Sequence, residues 1–232
     1  MNILHIETST TVCSVALSIN GVLRASRDQH EAYVHASKLT VFIQEMLDEV
    51  GMDISSLHAV SVSKGPGSYT GLRIGVSVAK GICYALDIPL ISVHTLEAML
   101  TGFLEIHGSD YASDALFCPM IDARRMEVYS AVYTAKKKQL APIAAQIIEL
   151  TSFDTYAEQP IVLFGEGANK FETLFASKPQ VSVFSNFLNI ATYQVAAAVD
   201  AYQQHQFEDV AYFEPYYLKD FIPTTPKKLA KN

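Results

Sequence analysis

Lys64-Gly65-Pro66-Gly67-Ser68-Tyr69-Thr70-Gly71-Leu72-Arg73-Ile74-Gly75 is the stretch that decides the fold. Immediately before it, His58-Ala59-Val60-Ser61-Val62-Ser63 alternates with the period of a strand. Immediately after it, Val76 to Leu86 runs as an apolar helix with no long polar break. The unit is therefore a strand, a glycine-rich turn and a buried helix. Pro66 presets one φ angle, and Gly65 and Gly67 accept positive φ, which suits a tight turn. Ser68 or Thr70 can cap the helix by accepting a backbone N–H. Gly71 and Gly75 fall one turn apart on one helix face. Each glycine inside a helix costs roughly 1 kcal/mol against alanine, so two of them point to the close approach of another backbone. A glycine-rich turn at a helix start can also cradle phosphate on its N–H groups. This one is no P-loop, because Lys64 precedes the glycines and no Gly-Lys-Ser/Thr ends the run. On the residues alone, a structural turn with a packing helix is the simpler reading.

Composition bounds the rest. A chain of 232 residues makes one large domain or two smaller lobes. Half the residues are hydrophobic and 18% are charged, which fits a well-packed globular protein and argues against disorder. The net charge of −7 makes a poor stand-alone nucleic-acid binder, so any RNA contact is expected through a partner with positive surface. Cys13, Cys83 and Cys118 are scattered, odd in number and without a Cys-x-x-Cys pair, as in reduced core positions of a cytosolic protein. The first residues lack a signal-peptide pattern and no apolar run of about 18 residues occurs, so a cytoplasmic chain without a membrane span is expected.

Along the chain, Asn2–Glu7, Val12–Ile19 and Val22–Asp28 read as three strands, the last two joined by the hairpin signal Asn20-Gly21. Between the first two lies Thr8-Ser9-Thr10-Thr11. Residues 34–50 form an amphipathic helix with Leu39, Phe42, Ile43, Met46, Leu47 and Val50 on one stripe. His30 and His35 do not share a face and read as ordinary polar residues. After the helix 70–86 come a strand at Ile88–Val93, a helix from His94, and a polar crossover at 107–114. Three further strands follow: Leu116–Ile121, Glu127–Thr134 and Leu140–Leu150. Lys136-Lys137-Lys138 is a solvated hairpin tip. Ile161–Phe164 is a buried strand, Asn189–Gln204 a helix, and Pro223, Pro226 and Lys227-Lys228 belong to an extended basic tail. Each half thus opens with a three-stranded meander, followed by βα units. That pattern implies an α/β, two-lobed, actin-like ATPase (ribonuclease-H-like) fold, with lobes over 1–100 and 101–232.

Several motifs carry a family resemblance. Lys64–Gly75 resembles the Gly-Pro-Gly-Ser-Phe/Tyr-Thr-Gly-Leu/Val-Arg-Ile-Gly motif of the TsaB (YeaZ) family. Glu7-Thr-Ser-Thr resembles that family's Asp-Thr-Ser start. Ile121-Asp-Ala-Arg-Arg-Met-Glu-Val-Tyr129 resembles its Ile-Asp-Ala-Arg-x-x-Glu-Val-Tyr motif, and Gly165–Ala168 and Pro215–Leu218 are weaker matches in the same order. The resemblance implies a non-catalytic partner of TsaD, the transferase that makes N6-threonylcarbamoyladenosine at position 37 of tRNAs reading codons that begin with A. It also implies a TsaE-type ATPase in the larger complex, contact with tRNA only through the complex, and no cofactor or metal of its own. Alone, the chain can be a homodimer or a monomer.

Three other activities fit the residues less well. TsaD-type transferases carry a His-x-x-x-His metal pair; Thr95 and Met99 stand at the matching places, and neighbouring His94 points about 100° away on a helix. A kinase of this fold holds Mg²⁺ near an Asp; Glu7 replaces it, and Asp122 is the remaining candidate. A peptidase finds no metal pair and no nucleophile elbow. Glu7, Thr8, Ser9, Gly65, Gly67 and Ser68 are therefore read as a vestigial nucleotide turn, with weak or absent nucleotide binding. Leu39, Phe42, Met46, Gly71, Gly75, Val78 and Ile82 are the candidates for the partner seam. Spacing does not decide which of them face the partner and which face the internal sheet. With Gly75 outward, Gly75→Glu would leave the chain folded and break the seam.

Overall fold

Asn20 and Gly21 both adopt positive φ, 52° and 82°, which is the geometry a two-residue hairpin needs. They join β2 (Val12–Ile19) to β3 (Val22–His30), and β1 (Asn2–Glu7) pairs antiparallel with β2, Glu7 opposite Ser14. The computed structural model describes residues 1–31 and 34–219. α1 (His35–Val50) leads through a 3-10 turn to β4 (Ala59–Gly65), which pairs parallel with β1. α2 (Tyr69–Leu86) returns to β5 (Leu90–His94), parallel to β4. The first sheet has the order β3-β2-β1-β4-β5.

The second half repeats that order. β6 (Leu116–Asp122), β7 (Glu127–Thr134) and β8 (Gln139–Ile147) form the meander, then β9 (Ile161–Phe164), α4 (Glu172–Phe175) and β10 (Val181–Phe184) complete a sheet ordered β10-β9-β6-β7-β8. Read from each meander outward, both sheets run third, second, first, fourth, fifth strand. This duplicated α/β arrangement is the two-lobed actin-like fold that the paired meanders predict.

The halves are interleaved rather than merely adjacent. α3 (Thr95–His107) follows a strand of the first sheet but buries Leu96, Met99, Leu100 and Phe103 among Phe117, Ile121, Tyr133 and Phe164 of the second. In the other direction, α5 (Val195–Gln203) places Ala198 among Ile3, Ala59 and Ile91 of the first sheet. A strap over 208–219 stays on the first sheet as well: Glu208 bridges to Leu90, and Tyr216 N donates to the Lys64 carbonyl at 2.6 Å. The span 101–232 therefore includes chain that packs on the first lobe. The helix expected at 189–204 is also split, a 3-10 turn at Ala191–Gln194 preceding α5. The side chains just before α5 bind the first lobe and bend the entry. The basic tail with Pro223, Pro226, Lys227 and Lys228 lies outside the described residues.

α2 determines how the first lobe closes. Its N-terminus is capped by Ser68, whose Oγ accepts from Gly71 N at 3.3 Å. Ser68 N donates to the Ser9 carbonyl at 2.7 Å, and Thr8 Oγ1 donates to the Gly71 carbonyl at 2.8 Å. A Cβ on Gly67 would overlap Ser9, one on Gly71 would overlap the Thr8 carbonyl oxygen, and one on Gly75 would overlap Thr8 Oγ1. The close backbone approach inferred from the helical glycines exists, but its partner is the chain's own first hairpin.

Gly71→Ala should therefore destabilise the fold by about 2 kcal/mol or more, although alanine is the better helix former, because the overlap is with backbone. Gly81, also in α2, has no atom within 4 Å of an added Cβ, so Gly81→Ala should stabilise by about 0.5–1 kcal/mol. Urea melts of the two variants check the contrast; a Gly71→Ala variant as stable as the parent would contradict this packing.

Candidate functional site

The turn that resembles a nucleotide-phosphate turn is closed by the chain itself. Glu7, Thr8 and Ser9 are fully buried. Ser9 N donates to Glu7 Oε1 at 2.7 Å and Val12 N to Thr10 Oγ1 at 3.2 Å. Together with the bonds made by Ser68 N and Gly71 N, these interactions take up four backbone N–H groups around the turn. The glycines of α2 fill the space over the turn.

Behind it runs a buried polar network. Ser63 Oγ donates to Glu7 Oε2. Gln194 Nε2 donates to the Ile6 carbonyl at 2.9 Å and to Ser63 Oγ at 3.1 Å, and its Oε1 accepts from Ser61 Oγ at 2.9 Å. Ser61 also meets His5 Nδ1 at 2.8 Å, while His5 Nε2 meets Ser18 Oγ at 2.8 Å. Asn189 Nδ2 reaches Ser9 Oγ at 3.4 Å. Burial raises the Glu7 pKa above its ordinary value, against the lowering effect of its Ser63, Ser9 and Asn189 hydrogen bonds. Burial pushes His5 down to about 3, so the ring is neutral. A carboxyl whose charged form is disfavoured, sealed from solvent, is poorly suited to holding Mg²⁺ through water.

The positions corresponding to the metal pair are packing positions. Thr95 and Met99 are buried, and Met99 Cε lies where a Cβ on Gly165 would stand. Among the described residues no group of three or more His, Cys, Asp or Glu side chains is arranged to hold a metal. Asp122 is exposed; it binds Lys170 Nζ at 2.6 Å and caps Arg124 N at 3.0 Å. Glu166, in the Gly165–Ala168 turn, accepts from Thr11 Oγ1 at 3.0 Å, linking the turns of the two halves.

The seam candidates divide sharply. Leu39, Phe42 and Met46 belong to the first-lobe core, packed on Val60, Val62 and Val76. Gly71 and Gly75 are buried against Thr8. None of these five faces outward, and Gly75→Glu would force a carboxylate into the hairpin and not leave the fold intact. For the two glycines the reason is rotational: α2 turns its glycine stripe toward β1 and its opposite stripe, Thr70, Arg73, Ser77, Gly81 and Tyr84, toward solvent. Val78 and Ile82 are half-buried at the border of that outer stripe. There a groove of 500 Å³ is lined by Ala36, Tyr69, Thr70, Arg73, Ile74, Ser77 and Val78. Ile74 and Val78 form its apolar floor, with Arg73 and Ser77 at its rim. Tyr84, 85% exposed, continues the face. Asn189 and Gln194 carry no motif of their own, and spacing offers no signal for their part in the network.

The family model TsaD, tRNA N6-adenosine threonylcarbamoyltransferase, matches residues 29–230. The tRNA threonylcarbamoyladenosine biosynthesis protein TsaB of Escherichia coli (strain K12) is 35% identical over 133 residues, 57% of this chain and 55% of the relative. The chain thus spans about half the length of that relative. The protein of the same name from Buchnera aphidicola is 31% identical over 189 residues, 81% of this chain and 80% of its own. YeaZ from Pseudomonas aeruginosa has the same fold, with a TM-score of 0.74 at 25% identity over 94% of this chain and 99% of that one. Among the described residues no helix is long and apolar enough to cross a membrane.

The buried network makes a pH prediction. His5 has a folded pKa of about 3 against 6.5 when free. The unfolded chain binds the proton first, so the stability is present above pH 6.5 and is lost as pH falls toward 3, by up to about 1.4 kcal/mol per pH unit. Glu7 acts in the opposite sense: its raised pKa keeps the proton on the folded state, and stability declines as pH rises above 4.5. His5→Asn should flatten the acid limb of a stability–pH profile between pH 6.5 and 3, measured by urea melts. Identical acid limbs in parent and variant would show that His5 is not held neutral.

Proposed function

This chain belongs to the TsaB (YeaZ) family, and from that premise we propose that it is the non-catalytic partner subunit of a TsaD-type transferase. In that role it supports formation of N6-threonylcarbamoyladenosine at position 37 of tRNAs that read codons beginning with A. The names of its TsaB relatives support the pathway. The observation that carries the subunit reading is the outer face of α2: an apolar floor at Ile74 and Val78 inside a polar rim, on a helix whose inner side is locked to the hairpin. A rigid helix presenting such a centre is suited to pairing with a second subunit. A homodimer of the isolated chain would use the same face.

The absence of catalysis in this reading has its own support. The phosphate turn is filled by α2, Glu7 is sealed with its charged form disfavoured, and Thr95 and Met99 are packing residues. The kinase alternative would need an open turn and a hydrated carboxylate there. Transfer chemistry is then the TsaD-type partner's, a TsaE-type ATPase joins the larger complex, and tRNA is engaged through the assembly. No cofactor is assigned to the chain.

Ser77 is exposed at the groove rim and makes no core contact, so Ser77→Glu should fold normally. Placed between Arg73 and Val78 it would leave a carboxylate in the seam, and co-purification with the TsaD-type protein should weaken by about a hundredfold. The modified nucleoside, read by mass spectrometry of tRNA digests in a complemented deletion strain, should fall with it. Full capture and full modification by a folded Ser77→Glu chain would place the seam elsewhere.

A further inference from the structure

We propose that the seam between the lobes, where the β6–β7 hairpin meets the 216–219 strap, is a binding face for single-stranded RNA. It rests on the reading that the assembly acts on tRNA, and it assigns to this chain a direct RNA contact that the −7 net charge argues against at first sight.

The hairpin tip supplies the cations. Arg124 and Arg125 both have left-handed backbones, φ 73° and 53°. Two adjacent non-glycine residues in that region are disfavoured and persist only where their surroundings hold them. Here Lys170 does so: its Nζ donates to Asp122 Oδ1 at 2.6 Å, to the Arg125 carbonyl at 2.8 Å and to the Glu127 carbonyl at 2.8 Å. Both arginines are exposed on a tip that Lys170 braces from behind. Among the described residues neither has a salt-bridge partner, because the neighbouring carboxylates are already taken, Asp122 by Lys170 and Glu127 by Lys219.

The strap supplies aromatic faces. Its backbone is tied to β4 by the Tyr216–Lys64 bond, and Lys219 joins it to Glu127 at the hairpin. Tyr216 sits edge-on to His94 with centroids 5.6 Å apart, and Tyr217 lies 4.9 Å from the Tyr69 ring. Both remain open, 40% and 38% exposed. Tyr129, in β7 just after the tip, feels the charges of Lys219, Glu127 and Arg124. Half-exposed rings on the strap, and two arginines on the hairpin that Lys219 ties it to, offer an unpaired strand both of its contacts: bases stack on the rings and phosphates meet the cations. A duplex hides its base faces and would use only the cations. A protein partner favours an apolar centre, as at Ile74 and Val78 of the α2 groove, which the strap borders where Tyr217 meets Tyr69.

The test uses the full chain and two fluorescein-labelled RNAs of about twelve nucleotides, an oligouridine and a blunt duplex, with anisotropy followed from about 25 to about 150 mM salt. The oligouridine should bind more tightly than the duplex. The double variant Arg124→Gly, Arg125→Gly relieves both left-handed conformations and should melt no lower than the parent. It should nevertheless bind the oligouridine about tenfold more weakly, with the log–log salt slope reduced by about 1.4 for two lost phosphate contacts. Tyr217→Leu keeps an apolar contact to Tyr69 but removes the ring; it should weaken binding about fivefold with the slope unchanged. No binding at the lowest salt with about 100 μM chain, equal affinity for the duplex, or a double variant with parental affinity and slope would each overturn the proposal. So would loss of TsaD-type partner capture in the double variant, which would make the seam a protein interface. These RNA measurements use the chain alone, so they fail independently of the partner reading that Ser77→Glu tests.

Discussion

Gly67 and Gly71 meet the Thr8–Ser9 turn backbone to backbone, and Gly75 makes room there for the Thr8 hydroxyl. Much else in the first lobe follows from this contact. It fixes the rotation of α2 about its axis, and so decides that Val76, Ala79 and Cys83 enter the core while Arg73, Ser77 and Tyr84 face solvent. It also fills the space over a turn that would otherwise be open to phosphate. One steric fact thereby closes a possible chemical site and orients a possible docking face. The helical glycines weaken α2 as an isolated helix by roughly 1 kcal/mol each. Tertiary packing outweighs that cost, as it does for most helices in globular proteins.

Beneath the contact, the polar network ties distant parts of the chain together. Gln194 and Asn189 come from the last third of the sequence, yet their partners are Ile6, Glu7, Ser9, Ser61 and Ser63 of the first sheet. Buried polar groups are tolerable only when their hydrogen bonds are made, and removing one partner exposes the others to the full cost of desolvation. The network thus makes the register between the C-terminal segment and the first sheet specific as well as stable. The interleaving of α3 and α5 adds apolar burial in both directions. A chain built this way is a stiff two-lobed body, suited to presenting surfaces to partners.

The elements and their order were legible because they depend on local patterns. The Asn20-Gly21 hairpin, the stripe of α1 and the doubled meander are each encoded within a few residues. The direction in which α2's faces point was not legible, because Gly71 and Gly75 announce a close approach without naming what approaches. Gly71 and Gly75 are internal for that reason, while Leu39, Phe42 and Met46 are internal because the apolar stripe of α1 covers the first sheet. The α5 entry was missed because Asn189 and Gln194 act on residues more than 130 positions away. Pro215-Tyr216-Tyr217-Leu218 is visible as a motif, but its packing along the first lobe depends on Lys64 and Tyr69, which are distant in sequence.

The central claim is that the outer stripe of α2, and not the second lobe, receives the transferase subunit. Site-specific photo-crosslinking tests it most directly, with benzoylphenylalanine placed at position 77 in one chain and at position 147 in another. Ile147 is a suitable contrast because it is 64% exposed on the edge strand of the second sheet. On irradiation of cells expressing both proteins, the account predicts a crosslink to the TsaD-type subunit from position 77 and none from position 147. A crosslink from 147 with none from 77 would contradict it.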